Sequence, residues 1–350
     1  VEFMQANGHQ ELAIWTDPAV GLKAFIAIHD TTLGPALGGT RIWPHPTDDD
    51  AIMDVLRLAK AMSYKSAAAG LPVGGGKGLI VADPHTDKTE PMFRSYGRFV
   101  ESLNGRYITT EDVGASAREM QWISYETKHV VGLPESMGGG GNPSVVTGYG
   151  IFQAMRACAI AQWGSDSLKG KTVAIQGFGN VATSLVAHLL EAGAKVIATD
   201  IYEVARARAV EMKGVEVVEP DAIYGVAADI FAPCALGGVL NEDTIPRIQA
   251  PIVCGAANNQ LRDDADADRM QERNILWAPD YIANAGGVIN VYFEYGRTYN
   301  RDAAIAKASE IFDTTNRVIQ TAREQGITTH AAADAFAEQR IAGLRSARRL

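Results

Sequence analysis

Lys77 stands inside a run of glycines, and that setting makes it the first candidate for chemistry in this chain. Residues 71–78 read Leu-Pro-Val-Gly-Gly-Gly-Lys-Gly. Glycines carry no side chains, so the backbone can approach a small ligand closely. A lysine in such a crowded, partly dry pocket can act as an acid and a base near neutral pH. A phosphate-binding loop would need Ser or Thr after the lysine at the start of a helix. Here Gly78 follows, and the apolar run 79–82 predicts a strand.

A second glycine pattern, Gly-Phe-Gly-Asn-Val-Ala at 177–182, follows an apolar run and opens a predicted helix. In dinucleotide-binding folds the first glycine makes a tight turn, and the second lets the backbone approach a pyrophosphate at the helix N-terminus. The next predicted strand ends at Asp200, where an acid can bind the ribose hydroxyls of NAD and would repel the 2′-phosphate of NADP. The pattern predicts NAD as cofactor, with contacts from Gly177, Gly179, Asn180, Val181, Asp200 and Ile201.

The composition excludes several classes of function. The chain has 350 residues and a net charge of −9 with both signs interspersed, which argues against a nucleic-acid partner. No apolar run approaches the ~20 residues needed to cross a bilayer, so no membrane partner is expected. Cys158, Cys234 and Cys254 are widely spaced, as is typical of a reduced, cytoplasmic protein. The histidines show no metal-binding spacing, so the sequence predicts no metal.

Strands alternate with helices along the chain, which predicts an α/β fold. The first half contains predicted strands at 23–29, 78–82 and 106–110 and predicted helices at 48–69 and around 93–103. The second half is more regular and predicts a parallel, doubly wound sheet. Its predicted strands are 173–176, 195–199, 214–218, 230–232, 252–254 and 275–278, and two predicted helices, 302–324 and 331–345, close the chain. Four glycines at 138–141 form either a surface linker or a hinge between two domains.

Seven longer motifs make the sequence recognisable. They are Leu-Gly-Pro-Ala-Leu-Gly-Gly-Thr-Arg at 33–41, Met-Ser-Tyr-Lys at 62–65, the lysine segment 71–78, Thr-Thr-Glu-Asp-Val-Gly at 109–114, Asp-Ile-Phe-Ala-Pro-Cys-Ala-Leu-Gly-Gly at 229–238, Gly-Ala-Ala-Asn-Asn-Gln-Leu at 255–261 and Ala-Pro-Asp-Tyr-Ile-Ala-Asn-Ala-Gly-Gly-Val-Ile-Asn at 278–290. In these motifs the chain resembles the glutamate/leucine/phenylalanine/valine dehydrogenase family, and the leucine and branched-chain members most closely. The resemblance covers roughly residues 25–340.

The resemblance implies a role for each matched residue of the first half. Lys77 would activate water and stabilise developing negative charge on oxygen, and Asp112 would exchange a proton with the substrate α-amine. Lys65, together with Gly38 and Gly39, would hold the α-carboxylate. These roles match the needs of oxidative deamination, which requires a neutral amine, loss of hydride from Cα and attack of water on the resulting iminium carbon.

The resemblance also assigns the substrate side-chain pocket to Leu37, Thr110, Val288 and Val291, with Met62 as a further substrate contact. Apolar walls suit an aliphatic side chain and offer no cation to a γ-carboxylate, which disfavours glutamate. Leucine-type members usually have alanine where Thr110 stands. The larger residue narrows the pocket and favours valine or a shorter chain. An aromatic substrate would need more room.

Further cofactor contacts follow from the resemblance. Thr147 would contact the cofactor, and Asn258 or Asn259 would contact the nicotinamide carboxamide; the sequence does not decide between these two. Asn284 would line the site near the nicotinamide. Two residues at the end of a predicted strand, Ala232 and Cys234, would lie near the cofactor, the cysteine as a packed residue rather than a nucleophile.

The expected protein is thus an NAD-dependent dehydrogenase that reversibly converts a branched-chain L-amino acid into the 2-oxo acid and ammonia. The expected architecture is an N-terminal α/β substrate domain (1–137), a C-terminal Rossmann-type NAD-binding domain (138–325) and a cleft between them. The family pattern implies that the last helix, about 326–350, packs back on the first domain, and that a homo-oligomer forms through that domain. Two alternatives stay open: a phenylalanine-type dehydrogenase of the same family, and a non-catalytic NAD-binding regulatory protein.

Overall fold

The fold is that of a computed structural model in which residues 1–296 and 298–347 are described. Contacts within the chain divide it into two compact units. Unit 1 comprises Val1–Gly141, Asn290–Arg301 and Ala337–Leu350, and unit 2 comprises Asn142–Ile289 and Asp302–Phe336. The last three residues of the predicted C-terminal helix lie outside the described part of the chain.

Unit 1 is built on a five-stranded mixed sheet. Its strands are β1 (Glu11–Asp17), β2 (Leu22–Asp30), β3 (Ala36–Ile42), β4 (Gly74–Ile80) and β5 (Tyr107–Glu111). They lie in the order β1-β2-β4-β3-β5, and β3 runs parallel to both of its neighbours. The helices before and between these strands are α1 (Glu2–Asn7), α2 (Asp48–Ala68) and α3 (Glu90–Ser102), and α4 (Ala117–Ser124) follows β5.

Helix α2 covers one face of this sheet and helices α3 and α4 cover the other. The side chain of Thr47 accepts a hydrogen bond from the Asp50 backbone N–H, and three aspartates in the first turn of α2 oppose the positive end of the helix dipole. On the α2 face, Val55 and Leu56 pack against Leu79. The opposite face buries an aromatic cluster that includes Phe93, Tyr96, Phe99 and Tyr107.

The glycine run with Lys77 forms a strand rather than a loop. The sequence predicted a strand only from Gly78, but β4 begins at Gly74, and neither β1 nor β3 was predicted as a strand. Glycine has a low strand propensity, so the pattern concealed these strands. Here the lack of a side chain serves close packing, because a Cβ on Gly75 would lie 2.0 Å from the backbone nitrogen of Ser63 in α2.

Unit 2 contains a parallel six-stranded sheet, as predicted. Its strands are β6 (Thr172–Gln176), β7 (Lys195–Thr199), β8 (Val215–Val217), β9 (Ile230–Pro233), β10 (Ile252–Val253) and β11 (Leu276–Trp277). Their order, β8-β7-β6-β9-β10-β11, is the strand order of dinucleotide-binding doubly wound folds. The predicted α/β class with a Rossmann-type sheet is therefore confirmed.

The remaining helices flank this sheet or close the chain. They are α5 (Ser144–Trp163), α6 (Asn180–Glu191), α7 (Glu203–Glu211), α8 (Ala265–Glu272), α9 (Asp280–Ala283), α10 (Gly286–Tyr292), α11 (Arg301–Ser309), α12 (Ile311–Gln325) and α13 (Thr329–Ala347). The single helix predicted over 302–324 is in fact two helices, α11 and α12, which meet at Glu310.

The chain returns to unit 1 earlier than the sequence-based boundaries assumed. Those boundaries assign 290–301 to the NAD-binding domain, whereas its contacts group Asn290–Arg301 with unit 1. The reason is Glu294, a buried residue whose carboxylate accepts hydrogen bonds from the backbone N–H groups of Gly132, Leu133 and Gly140.

Among the described residues, every helix is too short or too polar to cross a lipid bilayer.

Candidate active site

Lys77 and Asp112 form a close ion pair in unit 1. The Nζ atom of Lys77 lies 2.8 Å from Oδ2 of Asp112, and the lysine side chain is only 6% exposed. Lys77 belongs to β4, and Asp112 follows β5 directly. The two residues that the sequence singled out as catalytic candidates are therefore brought together from the two strands that lie on either side of β3.

The register of the sheet places the other substrate candidates on the same face as this pair. Leu37 in β3 lies opposite Gly75 in β4 and Ile108 in β5. Side chains alternate between the two faces of a strand, so positions two residues further along share that face. The face covered by α2 therefore carries Leu37, Lys77, Thr110 and Asp112. Leu37 is fully buried, and the hydroxyl of Thr110 is buried with no hydrogen-bond partner in the described part of the chain.

Gly38 and Gly39 let the strands of the site approach one another. A Cβ on Gly38 would lie 1.7 Å from the carbonyl oxygen of Gly76, and one on Gly39 would lie 2.6 Å from that of Glu111. Tyr107 donates a hydrogen bond of 2.7 Å to the Gly38 carbonyl from the other side of the sheet. The backbone at these glycines is thus packed closely against its neighbours and fixed in orientation.

Arg41 joins the ion pair, although no role was predicted for it from the sequence. Its Nε atom lies 3.3 Å from Oδ2 of Asp112, and its Nη1 atom lies 3.1 Å from Oδ2 of Asp54 in α2. Burial alone would raise the pKa of Asp112, but the neighbouring Lys77 and Arg41 outweigh it, so that the pKa of this carboxyl lies below its ordinary value. Asp112 is therefore ionised near neutral pH and can accept a proton.

Lys65 and Met62 lie in the last two turns of α2, and both are half-buried. The end of this helix is held by Arg340 of α13, which donates hydrogen bonds to backbone carbonyls of the segment that follows Lys65. Lys65 is thus carried by the helix that covers the face of Lys77 and Asp112.

The predicted cofactor motif of unit 2 has the expected strand–turn–helix geometry. Gly177 follows β6 with φ +94°, a backbone conformation that favours glycine, and its N–H donates to the carbonyl of Thr199 at the end of β7. Gly179 is the N-cap of α6, and a Cβ there would meet no atom within 4 Å. The first helical residues are Asn180 and Val181. The N-terminus of α6 therefore faces open space, and a phosphate can bind there.

Asp200 lies at the carboxyl end of β7, beside the glycine turn. Its carboxylate accepts hydrogen bonds from the backbone N–H groups of Phe178 at 2.7 Å and Tyr202 at 2.9 Å. Arg206 donates to the backbone carbonyls of Asp200 and Ile201, so its guanidinium is engaged away from the carboxylate.

A cavity of about 250 Å³ opens at this edge of the sheet. Its walls include Gly177, Asp200, Ile201 and Leu236. Leu236 is 79% exposed and was not identified from the sequence. Apolar walls beside one carboxylate fit an adenosine group.

The carboxamide side chains of unit 2 gather near the end of β10. Asn284 donates hydrogen bonds from Nδ2 to Oδ1 of Asn258 at 2.9 Å and to the carbonyl of Ala256. Its own Oδ1 is buried without a partner in the described residues. Asn259 has a left-handed backbone, with φ +52°; no contact of its side chain with Asn284 is found in the described part of the chain.

The remaining predicted residues are distributed between the two units. Thr147 lies in the first turn of α5, where its hydroxyl donates to the carbonyl of Pro143. Ala232 lies in β9 and Cys234 follows it; burial raises the pKa of the Cys234 thiol to about 12, which is unfavourable for a nucleophile. Of the two valines predicted for the substrate side-chain pocket, Val288 belongs to unit 2 and Val291 to unit 1. Among described residues, no cluster of three or more His, Cys, Asp or Glu could hold a metal.

Comparisons with known proteins match almost the whole chain. The family model "Glu/Leu/Phe/Val dehydrogenase, dimerisation domain" matches residues 12–129, and "Glutamate/Leucine/Phenylalanine/Valine dehydrogenase" matches 138–202 and 199–349. A leucine dehydrogenase of Bacillus cereus is 51% identical, over 99% of this chain and 94% of the relative. A valine dehydrogenase of Streptomyces coelicolor is 47% identical, over 97% and 94%. The crystal structure of an L-tryptophan dehydrogenase from Nostoc punctiforme is 42% identical with a TM-score of 0.87, over 98% of this chain and 99% of that one.

Proposed function

Because the chain belongs to the glutamate/leucine/phenylalanine/valine dehydrogenase family, we propose that it catalyses the NAD-dependent, reversible oxidative deamination of branched-chain L-amino acids. The resemblance predicted from the motifs is thereby confirmed, and the chain is an amino-acid dehydrogenase, as expected. The products would be the 2-oxo acid and ammonia.

The observation that carries this proposal is the Lys77–Asp112 pair. A protein that only binds a dinucleotide has no need of a buried lysine held 2.8 Å from a carboxylate on the sheet that does not carry the dinucleotide motif. Acid–base chemistry on an amine needs such a pair, because protons must both leave and return during the reaction. The non-catalytic alternative is therefore disfavoured.

In the proposed mechanism, Lys65, Lys77 and Asp112 of unit 1 act on the substrate. Lys65 and the backbone at Gly38 and Gly39 bind the α-carboxylate and fix the substrate. Asp112 takes a proton from the α-ammonium group, which leaves the neutral amine that must lose hydride from Cα. Lys77 then takes a proton from the water that attacks the iminium carbon and, as an ammonium group, stabilises the negative charge that develops on the oxygen. Asp112 returns a proton to the departing ammonia.

NAD, when bound, supplies the acceptor for the hydride that leaves Cα. The residues present fit this group. Gly177 makes the tight turn, Gly179 leaves room for the pyrophosphate at the start of α6, and the apolar cavity beside Asp200 suits the adenosine. The unpartnered Oδ1 of Asn284 is an acceptor that the carboxamide N–H₂ of a nicotinamide would satisfy.

Two further observations refine the cofactor proposal. The Asp200 carboxylate lines the cavity and Arg206 is engaged by backbone carbonyls, which favours NAD over NADP. The bond from Asn284 to Asn258 favours Asn258 over Asn259 as the nicotinamide contact. Thr147, Ala232 and the other predicted cofactor residues of unit 2 remain part of the proposal.

The proposed substrate class depends on the apolar residues of the side-chain pocket, including Met62, Val288 and Val291. Leu37 provides an apolar surface on the face of Lys77, and Thr110 is larger than the alanine usual in leucine-type members, which favours valine-sized side chains. The likeness to a tryptophan dehydrogenase structure makes an aromatic amino acid the second candidate. The width of the pocket, rather than its polarity, would decide between aliphatic and aromatic amino acids as substrates.

We further propose a homo-oligomer assembled through unit 1 and a cytoplasmic location. The match of residues 12–129 to a dimerisation domain supports the first. The three cysteines, all free thiols, support the second.

The test is a spectrophotometric assay of the purified protein. We expect reduction of NAD with valine, leucine and isoleucine, little with glutamate, and a lower kcat/KM with phenylalanine and tryptophan. Lys77→Ala should lose at least about a thousandfold in kcat while NAD affinity stays within a few-fold. Lys88→Ala, which removes another lysine paired with a carboxylate, is the matched control and should keep wild-type activity. Near-normal turnover by Lys77→Ala would refute the assigned role.

A further inference from the structure

Arg41 touches the catalytic carboxylate proposed above, yet no role in the site has been assigned to it. Its guanidinium is shared between two carboxylates: Nε lies 3.3 Å from Oδ2 of Asp112, and Nη1 lies 3.2 Å and 3.1 Å from the two oxygens of Asp54. The Nε2 atom of His45 lies 3.2 Å from Oδ2 of Asp54. A line of alternating charge therefore runs from Lys77 through Asp112 and Arg41 to Asp54, which also contacts His45.

Both cations contact the same oxygen of Asp112. Lys77 Nζ lies 2.8 Å from Oδ2, and Arg41 Nε contacts Oδ2 as well. In the described part of the chain no hydrogen bond is found at Oδ1. A carboxylate fixed at one oxygen by two donors has a defined plane, and its other oxygen is the one that can meet a substrate amine.

We propose that Arg41 is a positioning residue for Asp112: together with Lys77 it holds Oδ2, leaves Oδ1 for the substrate amine, and sets how readily this carboxylate takes a proton. Asp54 weakens the stabilisation of ionised Asp112 by Arg41, because its own negative charge pairs with the same guanidinium group. His45 in turn contacts Asp54. The inference rests on the proposed function, since it assigns Asp112 the amine proton.

The charges around Asp112 come from all the elements that pack on its face of the sheet. Lys77 comes from β4 and Arg41 from β3, while α2 brings Asp54 and, in its last turn, Lys65. Glu111 is the last residue of β5 and precedes Asp112, and the alternation of the strand directs the Glu111 side chain to the opposite face. A neighbouring cation favours the ionised form of a carboxylate and a neighbouring anion disfavours it. Loss of Arg41 and loss of Asp54 should therefore act on Asp112 in opposite directions.

The first experiment compares the pH dependence of kcat/KM for the amino acid in Arg41→Gln and Asp54→Asn. The acid limb reports the group that must be ionised to take the amine proton. We expect it to move up by about one pH unit in Arg41→Gln, with a fall in kcat of at least about tenfold, and to move down in Asp54→Asn. Arg41→Lys, which keeps the charge but can reach only one carboxylate, should recover part of the shift. A general loosening of the site would not produce shifts of opposite sign.

Arg57→Gln is the matched control, because Arg57 is an exposed arginine of the same helix α2; its pH profile should equal that of the wild type. Shifts in the same direction for Arg41→Gln and Asp54→Asn, or no shift in either, would overturn the inference.

A second measurement separates this inference from the proposed function. Titration of the Asp112 carboxyl can be followed by infrared spectroscopy of protein labelled with ¹³C-aspartate, without substrate, and Asp112→Asn identifies the band. A band that shifts in Arg41→Gln supports the inference even if the wild type deaminates no amino acid, a result that would sink only the proposed function. An active wild type whose Asp112 band is unchanged in Arg41→Gln would sink only the inference on Arg41.

Discussion

The guanidinium of Arg340 donates a hydrogen bond of 2.7 Å to the backbone carbonyl of Ala67, at the end of the helix that carries Lys65. A second bond, of 3.1 Å, goes to the carbonyl of Leu71, where the glycine segment with Lys77 begins. The Arg340 side chain of helix α13 thus links α2, which carries Lys65, to the segment that leads into β4, which carries Lys77. At the C-terminus of α2 its hydrogen bonds add to those that the Ser66 and Ala67 carbonyls accept from the backbone N–H groups of Leu71 and Gly70.

Arg340→Ala should therefore affect substrate binding as well as stability. We expect the free energy of unfolding to fall by about 2 kcal/mol, since hydrogen bonds from a charged donor are lost. KM for the amino acid should rise several-fold while the Kd for NAD stays unchanged. Steady-state kinetics and fluorescence titration with NADH measure the two effects. Arg323→Ala removes a similar arginine–carbonyl bond in unit 2 and should leave KM for the amino acid unchanged; equal effects of the two variants would contradict this account.

Asp200→Ala should weaken NAD binding and improve the relative use of NADP. The side chain lines the cavity assigned to adenosine and also accepts the N–H of Phe178 in the glycine turn. Removing its charge removes the repulsion of a 2′-phosphate, so we expect an about tenfold weaker Kd for NAD and a higher ratio of NADP to NAD activity. Asp229→Asn alters another aspartate of unit 2 that accepts a backbone N–H and should not change this ratio. An unchanged cofactor ratio in Asp200→Ala would argue against the ribose contact.

Thr110→Ala should shift substrate preference towards longer aliphatic side chains. The smaller residue widens the pocket on the face of Lys77, so the ratio of kcat/KM for leucine over valine should rise by up to about tenfold. Thr110→Val is the matched control, because it keeps the size and removes only a buried hydroxyl without a partner. This control should keep the wild-type ratio and be at least as stable as the wild type. If both variants changed the ratio equally, the hydroxyl rather than the width would govern selectivity.

Much of unit 2 could be predicted from the sequence because its signals are local. Each strand is a short apolar run, and the glycine turn and Asp200 have fixed positions relative to β6 and β7. The sequence predicts a single helix over 302–324, where the structure has α11 and α12. Apolar periodicity continues across Glu310, and nothing in the pattern marks the break between the two helices. Leu236 was missed because a single apolar residue in a loop has no periodic context.

Unit 1 was harder, because its catalytic face is set by contacts distant in sequence. Strand β3 contains Gly38 and Gly39, and β4 begins with three glycines, so neither shows the alternation that marks a strand. The close pair of Lys77 and Asp112 could be suspected from the resemblance, but not the third partner, Arg41. Its role depends on the register of three strands and on α2, and no local spacing encodes that.

A buried histidine, His29, and its half-buried neighbour His9 give the stability of unit 1 a pH dependence of its own. His29 is 7% exposed and contacts the Ser63 hydroxyl at 2.7 Å and the Asn7 carbonyl at 2.9 Å. Burial lowers its pKa to about 4, and burial also lowers the pKa of His9, which lies edge-on to it. The folded state disfavours protonated His29. The contribution of neutral His29 to the free energy of unfolding is therefore complete above the unfolded pKa of about 6.5 and is lost as the pH falls towards 4.

His29→Gln should therefore flatten the acid side of the stability curve. From the two pKa values, His29 costs the wild type about 2 kcal/mol of unfolding free energy between neutral pH and pH 5. Denaturant titrations at pH 7.5 and pH 5 measure that loss. In His29→Gln the loss over this interval should be smaller by about that amount, whatever the substitution does at pH 7.5, because glutamine does not titrate. His85→Gln changes an exposed histidine and should keep the wild-type slope. The same loss in wild type and His29→Gln would mean that His29 is already protonated in the folded protein at pH 5.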